Sequence, residues 1–397
     1  MKIVLDRLAV DQEQELFDLL HGLVSIQSGS SNREGVNRVG RLIRRFLTGP
    51  GMDLDLETVD GGRYGDHLLF RTRAATGRNR PILITGHMDT VFPPDTRFTD
   101  CTRQDDRIHG PGVIDMKGGL VVTIGACRAL ARAGLLAGLP LVLLFNSDEE
   151  VGSPTSIPLL RRLARECCCA LVTECGGMMG EVVTGRRGKT GYRLRVSGRA
   201  GHAAFAGKKK ASAILELAGK IIALEGCNDL AGDVVVNVGR IEGGIGPNTV
   251  ADHAMALVDS RYPDRETGER LRREIRRICA GTTVPGTGCR LEITNERPVM
   301  ERSAANLALY RLLARVGAEL GIGVREEVRQ GVSDANTLAG EGLPVLDGLG
   351  PLGELDHSEQ EYMLAPSLPR RTLLLANFLP LLARQCASGQ PRERPAA

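Results

Sequence analysis

The sequence predicts an α/β fold interrupted by an inserted α+β unit, and three observations carry that expectation. Short apolar runs alternate with helix-period stretches up to residue 184, the signature of a layered sheet. Between 185 and 296 the order becomes strand, helix, strand, strand, helix, strand. From Arg297 to residue 387 the first pattern resumes.

Taken in order, Gln12–Val24 and Arg33–Leu47 place apolar residues at helical spacing, with Ser30, Ser31 and Asn32 as N-cap candidates for the second. His67–Phe70, Ile82–Thr85, Leu139–Phe145 and Ala170–Thr173 read as strands. Gly118–Ala133 and Pro154–Arg165 read as helices, the latter with Ser153 as cap and Pro154 in its first turn. Past Gly185 come an alternating strand, Tyr192–Val196, a helix over Lys210–Leu224, and strands Asp233–Arg240 and His253–Tyr262. A basic amphipathic helix, Glu266–Ala280, precedes a last strand, Arg290–Thr294. That order is the ferredoxin-like one. The returning segment predicts helix Ala304–Leu320, a strand near Val324, helix Asp334–Gly340, strand Pro344–Leu346 and helix Ser367–Arg384. Residues 388–397 are polar and Pro-bearing, the composition of a disordered tail. There is no internal repeat.

At 397 residues the chain has room for two or more domains. A hydrophobic content of 42% with 25% charged residues is that of a globular protein. A net charge of +3 argues against nucleic-acid or membrane partners, and the absence of Trp argues against base-stacking surfaces. The first residues lack the apolar core of a secretory signal, and no apolar run is long enough to span a bilayer. Ten cysteines, three of them adjacent at Cys167, Cys168 and Cys169, lack paired spacing. They are expected to be reduced and mostly buried, in a cytoplasmic protein, and not to ligate zinc.

Chemistry-bearing residues follow the apolar runs. His87-x-Asp89 closes the run that begins at Pro81. Residues i and i+2 of a strand share a face, so the Asp89 carboxylate is expected to orient the His87 imidazole, as metal-ligating histidines require. In His109-Gly-Pro-Gly-Val-Ile-Asp-Met-Lys-Gly-Gly119, a tight loop holds Asp115 where its oxygens could bridge two cations. In Asn146-Ser-Asp-Glu-Glu-Val-Gly152, consecutive acids repel by about 1 kcal/mol per close pair unless cations intervene. Neighbouring side chains diverge, which suits Glu149 as a base and Glu150 as a ligand. Thr173-Glu174 and Leu355-Asp-His357 supply another acid and another imidazole. Each motif alone reads as a cap or solvated turn. Jointly they match the rule that α/β sheets bind at the carboxyl edge of their strands. Asp115, Glu150 and Glu174 bring three negative charges beside neutral His87 and His357, and two divalent cations with one hydroxide balance them. Nitrogen and oxygen ligands without sulfur suit zinc first, cobalt or manganese second.

The HMDT, GPGVIDMKGG, DEE-VGS, TECG and DHSEQEY segments together resemble those of the M20 family of dinuclear zinc peptidases and deacylases, in particular its glutamate-carboxypeptidase-like branch. The resemblance runs over nearly the whole chain. It implies a zinc-peptidase catalytic domain with a mixed central sheet flanked by helices, formed by residues 1–184 and 297–387, and an inserted lid and dimerisation domain at 185–296. By the same resemblance His87 and Glu174 bind one Zn2+, Glu150 and His357 a second, and Asp115 bridges them, with the peptide from Asp115 to Met116 cis. Asp89 orients His87, and Glu149 is the general base. His202 in Gly198-Arg-Ala-Gly-His202 and Asn248 in the Gly243–Val250 loop would stabilise an oxyanion in the partner subunit of a homodimer. Arg261 and Arg297 match positions that hold a substrate carboxylate, a task suited to a planar guanidinium. Ser333 matches a substrate-lining loop, with Asp334 as a helix cap.

Departures from the family pattern are Ala251, Ser212, Lys208, Lys209 and Gly331-Val332, all on the substrate side and none at an expected ligand. The implied reaction is metal-dependent hydrolysis of an amide bond in small peptides or N-acyl amino acids that carry a free carboxylate. A biosynthetic N-deacylase of the acetylornithine or succinyl-diaminopimelate type is the alternative. A catalytically silent binding protein of the same fold is the alternative from another class.

Overall fold

The computed structural model describes residues 4–388 except 9, 50, 76–79, 208, 209 and 230; Lys208, Lys209 and the tail beyond Ser388 lie outside the described residues. The chain divides into two compact units. Met1–Gly185, Arg302–Arg329 and Ser333–Ala397 form the first, Arg186–Glu301 with Gln330–Val332 the second.

The first unit opens with α1 (Val10–Val24) and α2 (Arg33–Leu47). Of the three cap candidates Asn32 is the one used, its side chain accepting from the Gly35 N–H at 3.0 Å. There follow β1 (Leu54–Asp60), β2 (Asp66–Thr72), β3 (Ile82–His87), α3 (Gly118–Arg132), β4 (Leu141–Asn146), α4 (Ile157–Glu166) and β5 (Cys169–Val172). β1 is a strand that a search for apolar runs passes over. Its Leu-Asp-Leu-Glu pattern leaves no residue fully buried. α4 starts three residues later than expected, with Ser156 at its N-cap and Pro158 in its first turn. Ser153 sits at φ +58°, and the Asp148 carboxylate holds the Thr155 and Ser156 N–H groups at 2.6 and 3.2 Å, so 153–156 is a turn.

The second unit comprises β6 (Gly188–Ser197), α5 (Ala213–Glu225), β7 (Val235–Gly243), β8 (His253–Tyr262), α6 (Arg265–Ala280) and β9 (Gly288–Arg297). Its antiparallel sheet has the order β7-β8-β6-β9, the ferredoxin-like arrangement. Alternate residues Tyr192, Leu194 and Val196 of β6 and Ala254, Ala256 and Val258 of β8 turn inward. Leu217 and Leu224 of α5 and Leu271 and Ile275 of α6 join them in the core. Ser212, one of the departures, caps α5.

The chain returns to the first unit through α7 (Ala304–Glu319), α8 (Asp334–Gly340), β10 (Val345–Leu346) and α9 (Ser367–Ala387). The strand expected near Val324 runs Arg325–Arg329. The central sheet has the order β1-β2-β4-β3-β5-β10. β4, β3, β5 and β10 are mutually parallel, and β2 joins β4 antiparallel with β1 beyond it, so the sheet is mixed. The parallel strands are continuous apolar runs because both faces are covered: every residue of β3 and β4 is buried. Among the described residues no helix is long and apolar enough to cross a membrane.

Candidate metal centre

Sheet register sets the site. His87 at the end of β3 pairs with Asn146 at the end of β4, and Thr85 pairs with Val172 at the end of β5. Glu174 therefore leaves β5 level with His87, and Glu149 and Glu150 follow β4 at the same carboxyl edge. The Val113–Lys117 turn ahead of α3 adds Asp115, and a loop before α9 adds His357, whose backbone is left-handed at φ +61°.

Asp115 stands between two imidazoles. His87 Nε2 is 3.0 Å from its Oδ1, and His357 Nε2 is 3.1 Å from its Oδ2. Glu174 Oε1 lies 3.7 Å from His87 Nε2, and Glu150 Oε2 lies 3.4 Å from His357 Nε2. The structure thus brings together His87, Asp115, Glu150, Glu174 and His357, with the Asp115–Met116 peptide cis. Asp356 joins the same group, with an oxygen within 4.8 Å of the ligand atoms of Asp115 and His357.

Comparison with known proteins decides the family. The model for "Peptidase family M20/M25/M40" matches residues 83–380. The chain belongs to that family. Carboxypeptidase G2 of Pseudomonas sp. (strain RS-16) is 26% identical over 381 residues, 95% of this chain and 91% of the relative. The succinyl-diaminopimelate desuccinylase of Methylobacterium radiotolerans is 30% identical over 327 residues, 77% of this chain and 82% of the relative. In fold, the aminopeptidase PepT crystal structure from Bacillus cereus superimposes with a TM-score of 0.74 at 21% identity, covering 92% of this chain and 98% of that one. As an M20 member the protein is a hydrolase acting on amide bonds, and membership implies use of divalent metal.

The electrostatics of the cluster fit the cations that M20 chemistry implies. Burial, reinforced by the Asp115 charge, pushes the Glu150 carboxyl up to about 8 and the Glu174 carboxyl well above its usual range. Burial disfavours a charged His87, yet hydrogen bonds to Asp115 and Asp89 raise it well above an ordinary imidazole. Hydrogen bonds to Asp115 and Glu150 raise His357 to about 11. Protein atoms alone therefore accommodate this many carboxylates only by retaining protons, which is the positive charge that dications replace. Glu150 Oε1 is buried with no hydrogen-bond partner among the described residues, an acceptor aimed at something other than protein.

Supporting residues separate the three acids of the M20 Asp-Glu-Glu segment. Asp148 is fully buried and spends its oxygens on Thr155 and Ser156. Asp89, also fully buried, accepts from the Glu149 N–H at 3.2 Å, the Glu150 N–H at 3.3 Å and the Ser30 hydroxyl at 2.6 Å. His87 Nδ1 lies nearer the Asp89 carbonyl oxygen, at 2.9 Å, than its carboxylate, at 3.4 Å. Asp89 follows the end of β3, so its carboxylate is free to turn toward the Glu149–Glu150 backbone. Glu361, unremarked in the sequence although inside the DHSEQEY segment, accepts from the N–H groups of Gly112, Ile114 and Asp115 at 2.9, 2.8 and 3.1 Å.

Among the remaining positions singled out by M20 resemblance, Ser333 lies in the first unit. Its hydroxyl donates to Asp347 at 2.8 Å and accepts from the Ala335 N–H at 3.1 Å, so Ser333 caps α8. Asp334, expected as the cap, instead accepts from Asn146 Nδ2 at 2.6 Å and Ser153 Oγ at 2.5 Å. The other four lie in the second unit. His202 is exposed and its strand pairs with that of the Asn248 loop, His202 against Thr249, with the Ala203 N–H on the Asn248 carbonyl at 2.9 Å. Arg261 contacts Asp259 at 3.3 Å and the Gln330 carbonyl at 3.3 Å, and Arg297 is buried opposite Lys189.

Proposed function

We propose that this protein hydrolyses the amide bond of small peptides or N-acyl amino acids carrying a free carboxylate, as a carboxypeptidase-like M20 enzyme. The observation that carries the reading is the Asp115 carboxylate, with one oxygen toward His87 and Glu174 and the other toward His357 and Glu150. His87 and Glu174 would hold one divalent cation, His357 and Glu150 the other, with Asp115 shared. Zinc suits that donor set best, with cobalt or manganese as substitutes. When bound, the pair supplies Lewis-acid polarisation of the amide carbonyl and lowers the pKa of the attacking water.

The chain's own residues do the rest. Glu149 takes the water's proton and returns it to the departing amine nitrogen, from a backbone anchored on Asp89. His202 and Asn248 are assigned to the developing oxyanion, and Arg261, Arg297 and Ser333 to the substrate side, by their match to the family pattern. Similarity to carboxypeptidase G2 over 95% of the chain supports the peptidase reading over the deacylase one. Exposed Ile214, Leu215 and Ile222 on α5 support self-association through the second unit. Ten cysteines that are all free thiols support a cytoplasmic site of action.

The test is Glu149→Gln. Turnover on a panel of dipeptides and N-acetyl and N-succinyl amino acids should fall by a factor of about 100–10,000. Two equivalents of metal should remain bound. Wild-type turnover in that variant would refute the base assignment. Preference of the parent enzyme for N-succinyl substrates would move the assignment to a desuccinylase.

A further inference from the structure

Cys168, just ahead of β5, and Cys169, its first residue, stand at the opposite end of that strand from Glu174. Cys386 reaches them from the last turn of α9. The Cys168 and Cys386 sulfurs are 2.6 Å apart, Cys168 and Cys169 3.7 Å, and Cys169 and Cys386 4.0 Å. Cys169 is buried, whereas Cys168 and Cys386 are half-exposed. Three thiolates around one cation at metal–sulfur distances of about 2.3 Å would stand roughly 3.7–4 Å apart. Two of the separations suit a cation and the third does not. That third pair needs to close by only about half an ångström to reach the S–S bond length of about 2.05 Å.

We propose that Cys168 and Cys386 are a thiol-modification site, forming a reversible disulfide that pins the end of α9 to the amino edge of β5. The oxidant is a hydroperoxide. The Cys168 thiolate attacks its terminal oxygen, the O–O bond breaks, and the sulfur becomes a sulfenic acid while the other oxygen leaves as water or alcohol. The Cys386 thiol then attacks that sulfur and expels the hydroxyl as water. Two thiols lose two electrons and two protons, and the peroxide is reduced by two electrons. The roles are unequal by environment. Hydrogen bonding with Cys169 and Cys386 holds the Cys168 thiol down at about 4, and the bond with Cys168 pushes Cys386 up to about 12. A disulfide of this kind in a reducing compartment is transient and redox-sensing, unlike a structural bridge.

The experiment treats the full-length, metal-loaded protein with a few equivalents of hydrogen peroxide, followed by thiol titration and peptide mass mapping. Two of the ten thiols should be lost, with the Cys168 and Cys386 peptides linked and the link reversed by dithiothreitol. The melting temperature should rise by about 5 °C, because the bridge closes a very long loop. Hydrolysis should change by less than about two-fold, since the pair lies at the far end of β5. Cys386→Ser should instead accumulate a dimedone-reactive sulfenic acid at Cys168 with no thermal gain, and Cys169→Ser should retain the link. A bridge between other cysteines, Cys168 over-oxidised in the wild type with no link, or a stoichiometric soft metal ion displaced by Cys168→Ser would each overturn the proposal.

Discussion

The Glu361 carboxylate accepts a hydrogen bond from the backbone N–H of Asp115 at 3.1 Å, fixing from behind the residue that faces both imidazoles. The same carboxylate holds the Ile114 and Gly112 N–H groups, so it braces the whole turn. Glu361→Gln keeps the shape but replaces one acceptor oxygen with a donor facing backbone N–H groups. Such outer partners of a metal ligand typically contribute 10–100-fold in affinity. Loss of about that factor in metal affinity, measured by competition with a chelating dye, is expected for Glu361→Gln. Unchanged affinity would show that the turn holds its own shape.

Asp89 makes a second prediction, because one buried carboxylate fixes both Glu149 and Glu150 through their backbone N–H groups. Asp89→Asn removes an acceptor and the negative charge beside His87. We expect kcat to fall about 10–100-fold with metal content close to two equivalents. Ser30→Ala, which deletes only the 2.6 Å hydroxyl contact to Asp89, should cost about 1 kcal/mol of stability and less than ten-fold in kcat. A larger effect from Ser30→Ala than from Asp89→Asn would reverse this order of importance.

How much of this was legible in the sequence follows from what sets each feature. β3, β4 and β5 are buried on both faces, so their composition is continuously apolar and announces them. β1, wetted along its length, does not announce itself that way. His87, Asp115, Glu150, Glu174 and His357 were nameable because each follows an apolar run or a glycine-rich turn. Their braces were not. Ser30 and Glu361 act through contacts 59 and 246–249 residues along the chain, and no local pattern encodes such distances. Asp334 shows the same limit: a helix-start acid reads as a cap, but its partners Asn146 and Ser153 are 188 and 181 residues away.

In the second unit Glu216 and Lys220 form a buried ion pair on α5, Nζ to Oε1 at 3.0 Å, with both side chains nearly inaccessible. Glu216 Oε2 also accepts from Thr283 N–H and Oγ at 2.9 and 2.7 Å and from Val284 N–H at 2.7 Å, and Lys220 caps the Ile278 and Gly281 carbonyls at the end of α6. Burial raises the Glu216 carboxyl, but its bonds to Thr283, Lys220 and Val284 outweigh that and hold it at about 2. A folded-state pKa below the unfolded one contributes stability that is complete above the ordinary carboxylate value near 4.5. That stability is lost as pH falls from there through about 2. Glu216→Gln should lower stability at pH 7 by about 3–5 kcal/mol, leaving Lys220 buried without its counter-charge. It should also flatten that part of the acid limb in denaturant titrations between pH 5 and 2. An acid limb unaltered by the substitution would remove Glu216 from the explanation.

Gly119, the second residue of α3, stands where the helix approaches the end of β5 too closely for a side chain. A Cβ built on Gly119 would stand 1.8 Å from the Thr173 carbonyl oxygen and 3.1 Å from the Met116 methyl. Both neighbours adjoin candidate ligands, Glu174 after Thr173 and Asp115 before Met116. Backbone cannot yield as a flexible side chain does, so Gly119→Ala must push α3 away from the end of β5 or displace Glu174. We expect a loss of about 2–4 kcal/mol in stability. Metal titration should show one of the two sites weakened more than the other, the one served by His87 and Glu174. Gly138→Ala is the control: nothing lies within 4 Å of its Cβ position, so stability should stay within about 0.5 kcal/mol of the parent. If Gly119→Ala matched that control, close approach of α3 to the β5 end would not be what the glycine serves.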